Sequence, residues 1–116
     1  MRKVSKPWGY ELIWAEQSKY LGKILHIDAG KRLSLQYHKV KDETIMVLKG
    51  TLSLEYGSSK STLKTYTLKV GEAWHIAPGM LHRMCAVDDV EVVEVSTSEL
   101  LDVVRVEDDF GRSPSI

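Results

Sequence analysis

Gln36, His38 and Glu43 lie close together between Gly30 and Gly50, and His82 follows the Pro78-Gly79 pair in a second stretch that opens at Gly71. On an extended strand Gln36 and His38 point to one face, about 7 Å apart along the chain, so their tips can converge on one centre. Glu43 then enters from the next strand and His82 from one distant in sequence. Two imidazoles, a carboxylate and an amide oxygen make a mixed nitrogen and oxygen set for a divalent first-row ion, with Zn, Co, Mn and Fe all compatible and positions left for water or substrate. The neutral amide is the weakest donor, which predicts loose metal retention. Without an ion, the same Gln-x-His spacing reads as an ordinary half-buried strand. Among the other histidines, His26 faces away from Lys23, Leu25 and Ile27. His75, in the run leading to the Pro-Gly turn, is a candidate to line the pocket and bind substrate.

Bringing these groups together requires a chain that crosses itself in short extended runs. Apolar residues recur mostly with period two, which predicts strands over 10–15, 22–28, 33–39, 44–49, 51–56, 63–69, 73–76, 82–86 and 90–96. Turn residues separate them, among them Asp28 to Lys31, Val70 to Glu72 and Asp88-Asp89. The fold class is therefore all-β, and so many short strands imply closure into a barrel or sandwich that protects their edges. Residues 98–104 fit a helical turn about as well as a strand. Gly57 to Ser61 reads as a flexible loop and Arg112 to Ile116 as a frayed tail.

The chain has 116 residues, with 16 basic side chains balancing 16 acidic ones, which predicts one globular domain over 1–116. No uninterrupted apolar run exceeds four residues, so neither a membrane-spanning helix nor a secretory leader is expected, and the predicted setting is cytoplasmic. Cys85 is the single cysteine, which excludes an internal disulfide and a thiolate cluster. Scattered, balanced charge lacks the footprint of a nucleic-acid binder. The expected partner is a small molecule, with no nucleic acid and no membrane.

The two stretches resemble the motifs of the cupin superfamily, Gly-x5-His-x-His-x3,4-Glu-x6-Gly and Gly-x5-Pro-x-Gly-x2-His-x3-Asn. Gln36, Ala77 and Ala86 depart from them. Glutamine at the first position, within Leu33-Ser34-Leu35-Gln36-Tyr37-His38, is similar to the type II mannose-6-phosphate isomerase domain. So are the opening Lys6-Pro7-Trp8-Gly9-Tyr10-Glu11 and the closing run from Asp102 through Arg105 to Gly111-Arg112. The resemblance implies a double-stranded β-helix, a jelly-roll-like cupin barrel, and by analogy a homodimer. In bifunctional members this domain follows a guanylyltransferase domain too large to fit here. Where the family usually has arginine in the His-His-Arg run, this chain has Lys41, which keeps the charge and loses the planar fork.

The resemblance implies metal-dependent interconversion of mannose 6-phosphate and fructose 6-phosphate, an aldose–ketose isomerisation. A divalent ion would polarise the sugar oxygens while a nearby base shuttles the proton. Glu43 is a candidate base if it is not a tight ligand. Lys23, on a lysine of the family pattern, and Lys41 are candidate bases, stabilisers or phosphate partners, or else exposed strand residues. Arg105 and Arg112 are candidate phosphate contacts from the closing motif, or else surface ion-pair partners. Trp8 and Tyr10 either wall the pocket against the sugar ring or cap the barrel. Two alternatives stand beside the isomerase: another metal-dependent cupin enzyme, such as a dioxygenase, sugar isomerase or epimerase, and a sugar-binding module without turnover.

Overall fold

Residues that alternate between apolar and polar form half-buried strands, and the computed structural model, which describes residues 1–114, is built almost wholly of them. The order is β1 (Arg2–Lys6), β2 (Gly9–Glu16), β3 (Leu21–Ile27), β4 (Leu35–Tyr37), β5 (Glu43–Lys49), β6 (Leu52–Gly57), a 3₁₀ turn at Lys60–Thr62, β7 (Lys64–Leu68), β8 (Ala73–Ile76), β9 (Leu81–Ala86), β10 (Val90–Ser96) and β11 (Val104–Glu107). They form two antiparallel sheets, ordered β1-β2-β3-β10-β5-β8 and β11-β4-β9-β6-β7, as a jelly-roll barrel. No helix among the described residues is long and apolar enough to cross a membrane.

Each of the nine strands expected from periodicity has a counterpart, and two are added. β1 has only Val4 as an apolar residue, so period-two reading passes over it. Residues 98–103 form turns rather than a helix, and the chain then pairs β11 with β4. The expected strand over 33–39 shortens to β4, because Arg32 pairs separately with Cys85 and His38 leaves the ladder. Part of the expected tail is also tied down. Arg112 Nε donates to Asp108 Oδ2 at 2.9 Å, and the Pro114 carbonyl accepts from the Arg105 N–H at 2.6 Å. Ser115 and Ile116 lie outside the described residues.

Inward residues of both sheets meet in a core of Leu25, Ile27, Ile45, Val47, Leu52, Leu54, Met84, Val90 and Val92. The β5–β6 turn closes tightly at Gly50, whose φ is +78° and whose added Cβ would stand 2.3 Å from the Asp89 carbonyl oxygen. Farther along the same strands the inward positions become Lys23 on β3, Glu43 on β5, His82 on β9 and Glu94 on β10, all buried. One end of the barrel is thus packed with hydrocarbon, and the other is lined with charge.

Candidate metal centre

His38 follows the end of β4 in a loop that depends on Asp102, far along the chain. The Asp102 carboxylate accepts from the N–H groups of Lys39, Val40 and Lys41 at 3.1, 2.7 and 2.9 Å, and its main-chain carbonyl accepts from His38 Nδ1. These donors hold the Asp102 carboxyl below its ordinary range despite the opposing effect of burial. Pro78 leads into Gly79, whose φ of +83° is open to glycine and whose N–H donates to the His38 carbonyl at 2.7 Å. That bond seats the turn before β9 against the end of β4. His82 then sits beside His38, with ring centroids 5.2 Å apart, and its Nδ1 donates to the Met80 carbonyl at 3.0 Å.

With both Nδ1 atoms donating to carbonyls, each imidazole turns its unprotonated Nε2 toward Glu43. Glu43 Oε1 lies 3.3 Å from His38 Nε2 and 3.5 Å from His82 Nε2, and His82 Nε2 is buried with no hydrogen-bond partner. Three acceptors face one another with no donor between them, an arrangement that fits a cation. The ligand atoms of His38, Glu43 and His82 lie within 4.8 Å of one another. Gln36 lines the same cavity and is the Cα register partner of His82 across β4 and β9. The carbonyls behind the imidazoles are the outer partners that orient metal-binding histidines.

Lys41 Nζ completes the surroundings, 3.2 Å from Glu43 Oε2 and 3.0 Å from Glu94 Oε2. Burial opposes the Lys41 charge, yet Glu94 and Glu43 outweigh it and hold its pKa above the ordinary value. For Glu43, burial pushes upward, but the Lys41 charge beside it helps hold it well below the carboxylate range. Burial lowers His82 and keeps it neutral, as a ligand must be. Glu94 moves the other way, raised first by burial and then by the charge of Glu43.

The cavity above these groups measures about 230 Å³ and is walled by Trp8, Leu33, Met84 and Val103 together with the cations Arg2, Lys6, Lys23, Lys41, Arg105 and Arg112. Its acids are Glu11, Glu43 and Glu94; of its six cations, Arg2 and Arg112 are paired with Glu16 and Asp108 outside the lining. Lys23 and Lys41, which could have been exposed strand residues, are both buried. Arg105 is the register partner of Gln36 across β11 and β4; burial lowers its pKa, and the nearby Arg112 adds to the effect.

Two expected lining residues are not brought to the cavity. Tyr10 sits on the outward face of β2, stacked on His26 with ring centroids 4.9 Å apart and planes 3° from parallel, because Glu11 takes the inward position. His75 also points outward and is largely exposed, with Nε2 2.6 Å from Asp42 Oδ1, since Ile76 is the inward residue of β8. The roles of three residues escaped sequence reasoning. Glu11 and Glu94 stand where period two places inward side chains, and that was their available signal. Asp102 acts on His38 through its main chain, which side-chain chemistry does not announce.

Comparison with known proteins agrees with this architecture. The chain is 31% identical over 118 residues to the xanthan biosynthesis protein XanB of Xanthomonas campestris, covering 97% of this chain and 24% of that protein. It is 28% identical over 115 residues to the alginate biosynthesis protein AlgA of Pseudomonas aeruginosa, covering 95% of this chain and 23% of the relative. The chain therefore spans about a quarter of either relative. A solved cupin-2 domain protein from Shewanella frigidimarina superposes with a TM-score of 0.63 at 22% identity, over 79% of this chain and 82% of that one, which supports the cupin fold. Residues 1–110 match the family described as mannose-6-phosphate isomerase C-terminal, and with the jelly-roll barrel and its inward-facing residues in place, the chain belongs to that family of cupins.

Proposed function

We propose that this chain is a divalent-metal-dependent aldose–ketose isomerase interconverting mannose 6-phosphate and fructose 6-phosphate, acting as a single cupin domain over 1–116. The observation that carries the metal is the convergence of His38 Nε2, His82 Nε2 and Glu43 Oε1 with no donor among them. His38, Glu43 and His82 would hold the ion, with Gln36 as a weaker fourth donor. When bound, the ion would act as a Lewis acid toward the sugar oxygens at C1 and C2.

The remaining residues supply binding and charge control. Arg105, which lines the cavity, suits the phosphate, since a guanidinium pairs with such an anion in bidentate fashion; Arg112 lines it too, but its fork is held by Asp108 and would have to exchange that carboxylate for the phosphate. Trp8, buried in the cavity wall, excludes water and offers an apolar surface to the sugar. Lys41, flanked by two carboxylates, keeps its proton and stabilises negative charge rather than acting as a base. Lys23 is paired with Glu11 at 3.5 Å. The same reading keeps a cytoplasmic setting and a homodimer, which light scattering on the purified chain measures.

The test is release of fructose 6-phosphate from mannose 6-phosphate by metal-stripped protein after addition of Zn²⁺, Co²⁺, Mn²⁺, Fe²⁺ or Mg²⁺ in turn. Turnover that appears with a metal and disappears with a chelator supports the isomerase. Oxygen consumption with iron and no sugar product would instead indicate a dioxygenase. Saturable sugar-phosphate binding without product would make the chain a binding module.

A further inference from the structure

Two buried carboxylates wall the cavity without belonging to the candidate metal centre: Glu11, which is paired with Lys23 and Lys6, and Glu94. Glu94 occupies an inward position of β10, is 4% exposed, and has Lys23 on β3 and Ile45 on β5 as Cα register partners. Its Oε2 accepts from Lys41 Nζ at 3.0 Å, and the same ammonium lies 3.2 Å from Glu43 Oε2. Glu94 is thus one ammonium removed from the metal centre and borders the space where a substrate would sit. Among the described residues its carboxylate takes part in no further hydrogen bond, which leaves Oε1 available.

The other candidates for moving a carbon-bound proton are occupied. Glu43 is enclosed by two imidazoles and Lys41. Lys41 lies between two carboxylates. Lys23 is held by Glu11 at 3.5 Å, and Lys6 approaches the same carboxylate at 3.8 Å. We propose that Glu94 is the proton carrier of the isomerisation, taking hydrogen from one sugar carbon and returning it to the neighbouring one. This rests on the isomerase reading of the same cavity.

The step balances without an added reagent. Glu94 Oε1 removes the proton from C2 of the open-chain aldose, the C–H electron pair forms the C1–C2 double bond, and the aldehyde oxygen takes up negative charge. A proton passes from O2 to O1. The Glu94 carboxylic acid then delivers its proton to C1, and the electron pair returns to make the C2 carbonyl. Burial and the neighbouring Glu43 raise the Glu94 carboxyl above its ordinary value, while Lys41 and Lys23 oppose that rise.

The experiment follows isomerisation of mannose 6-phosphate in D₂O by proton NMR, using metal-loaded wild type, Glu94→Gln and Glu94→Asp, with bound metal counted for each. Wild type should turn over and place solvent deuterium on C1 of the product. Glu94→Gln should lose on the order of 10³-fold in kcat with little change in KM or bound metal, and deuterium uptake should fall with turnover. Glu94→Asp, which keeps a carboxylate, should recover part of the rate. Glu94→Gln within about tenfold of wild type would overturn the assignment, since general-base catalysis contributes about 10²–10⁴-fold. If Glu94→Gln loses metal or fold, Glu94→Asp decides. A folded, metal-loaded aspartate variant with full rate loss in KM rather than kcat would make Glu94 structural. A wild type silent with every metal would sink the isomerase reading itself, an outcome distinct from an active wild type beside an active glutamine variant.

Discussion

On β3, β5 and β10 the inward residues at one end of the barrel are Leu25 and Ile27, Ile45 and Val47, Val90 and Val92, and at the other end they are Lys23, Glu43 and Glu94. The same strands and the same pleat serve both ends, yet the forces differ. At the apolar end each side chain gains from leaving water whichever apolar neighbour it meets. At the polar end every charge is opposed by burial, and the set persists because specific partners stand within about 3 Å: Lys41 for Glu43 and Glu94, with carbonyls behind His38 and His82. Packing is shared among many neighbours, whereas charge balance fails when a single member is removed.

The largest effect should come from removing a ligand at the polar end. His82→Ala is expected to abolish metal retention, measured as bound metal per chain by plasma mass spectrometry, while the far end keeps the barrel folded; unchanged stoichiometry would break the site assignment. Lys41→Met should cost about 3–5 kcal/mol near neutral pH, because it strands two buried carboxylates. Its sign with pH follows from the raised Glu94: a carboxyl whose folded pKa exceeds its unfolded value contributes stability at low pH that is lost as pH rises through the folded value. The deficit relative to wild type should therefore be greatest at pH 8 and shrink toward pH 5 in thermal melts.

At the apolar end Leu54→Ala should cost about 2–5 kcal/mol in urea unfolding, with little pH dependence and bound metal unaltered in the folded fraction. A strong pH dependence there would mean that the two ends are not independent. The smallest change is Gln36→His, which exchanges an amide for an imidazole on the register partner of His82. Metal should bind about tenfold more tightly in competition with a chelating dye.

This contrast also explains what could be read from sequence. Period-two alternation reports which side of a strand is inward, so nine strands were visible, whereas β1, with Val4 alone, and β11, which starts at the end of the ambiguous 98–104 run, were not. The Gln36, His38, Glu43 and His82 set was legible because glycine-framed turns and an i, i+2 pair mark it. Glu94 follows Val90 and Val92 at the same inward period, yet its acidic type reads as solvent-facing until Lys41 is seen opposite. Tyr10 and His75 were misplaced because a sequence near a site does not say which face of the strand points inward. Asp102 was legible only as the start of the closing run, and its tie to His38 was not, because that bond spans 64 residues and is made by a carbonyl common to all residue types.

That long-range bond has a bearing on the order in which the protein acquires its parts. A chain growing from its amino end holds His38, Glu43 and His82 well before Asp102 exists, and can pair β5 with β8 and β6 with β9 in the meantime. Until Asp102 arrives the loop over Lys39 to Lys41 lacks the carboxylate that gathers its three N–H groups, and the His38 ring lacks the carbonyl that sets its tautomer. Contacts of such sequence separation close late, after local pairing has reduced the entropy of closing the loop. Maturation of the centre is thereby coupled to completion of the barrel, so a nascent chain ending short of Asp102 would carry the metal-binding side chains without the geometry that makes them a ligand set.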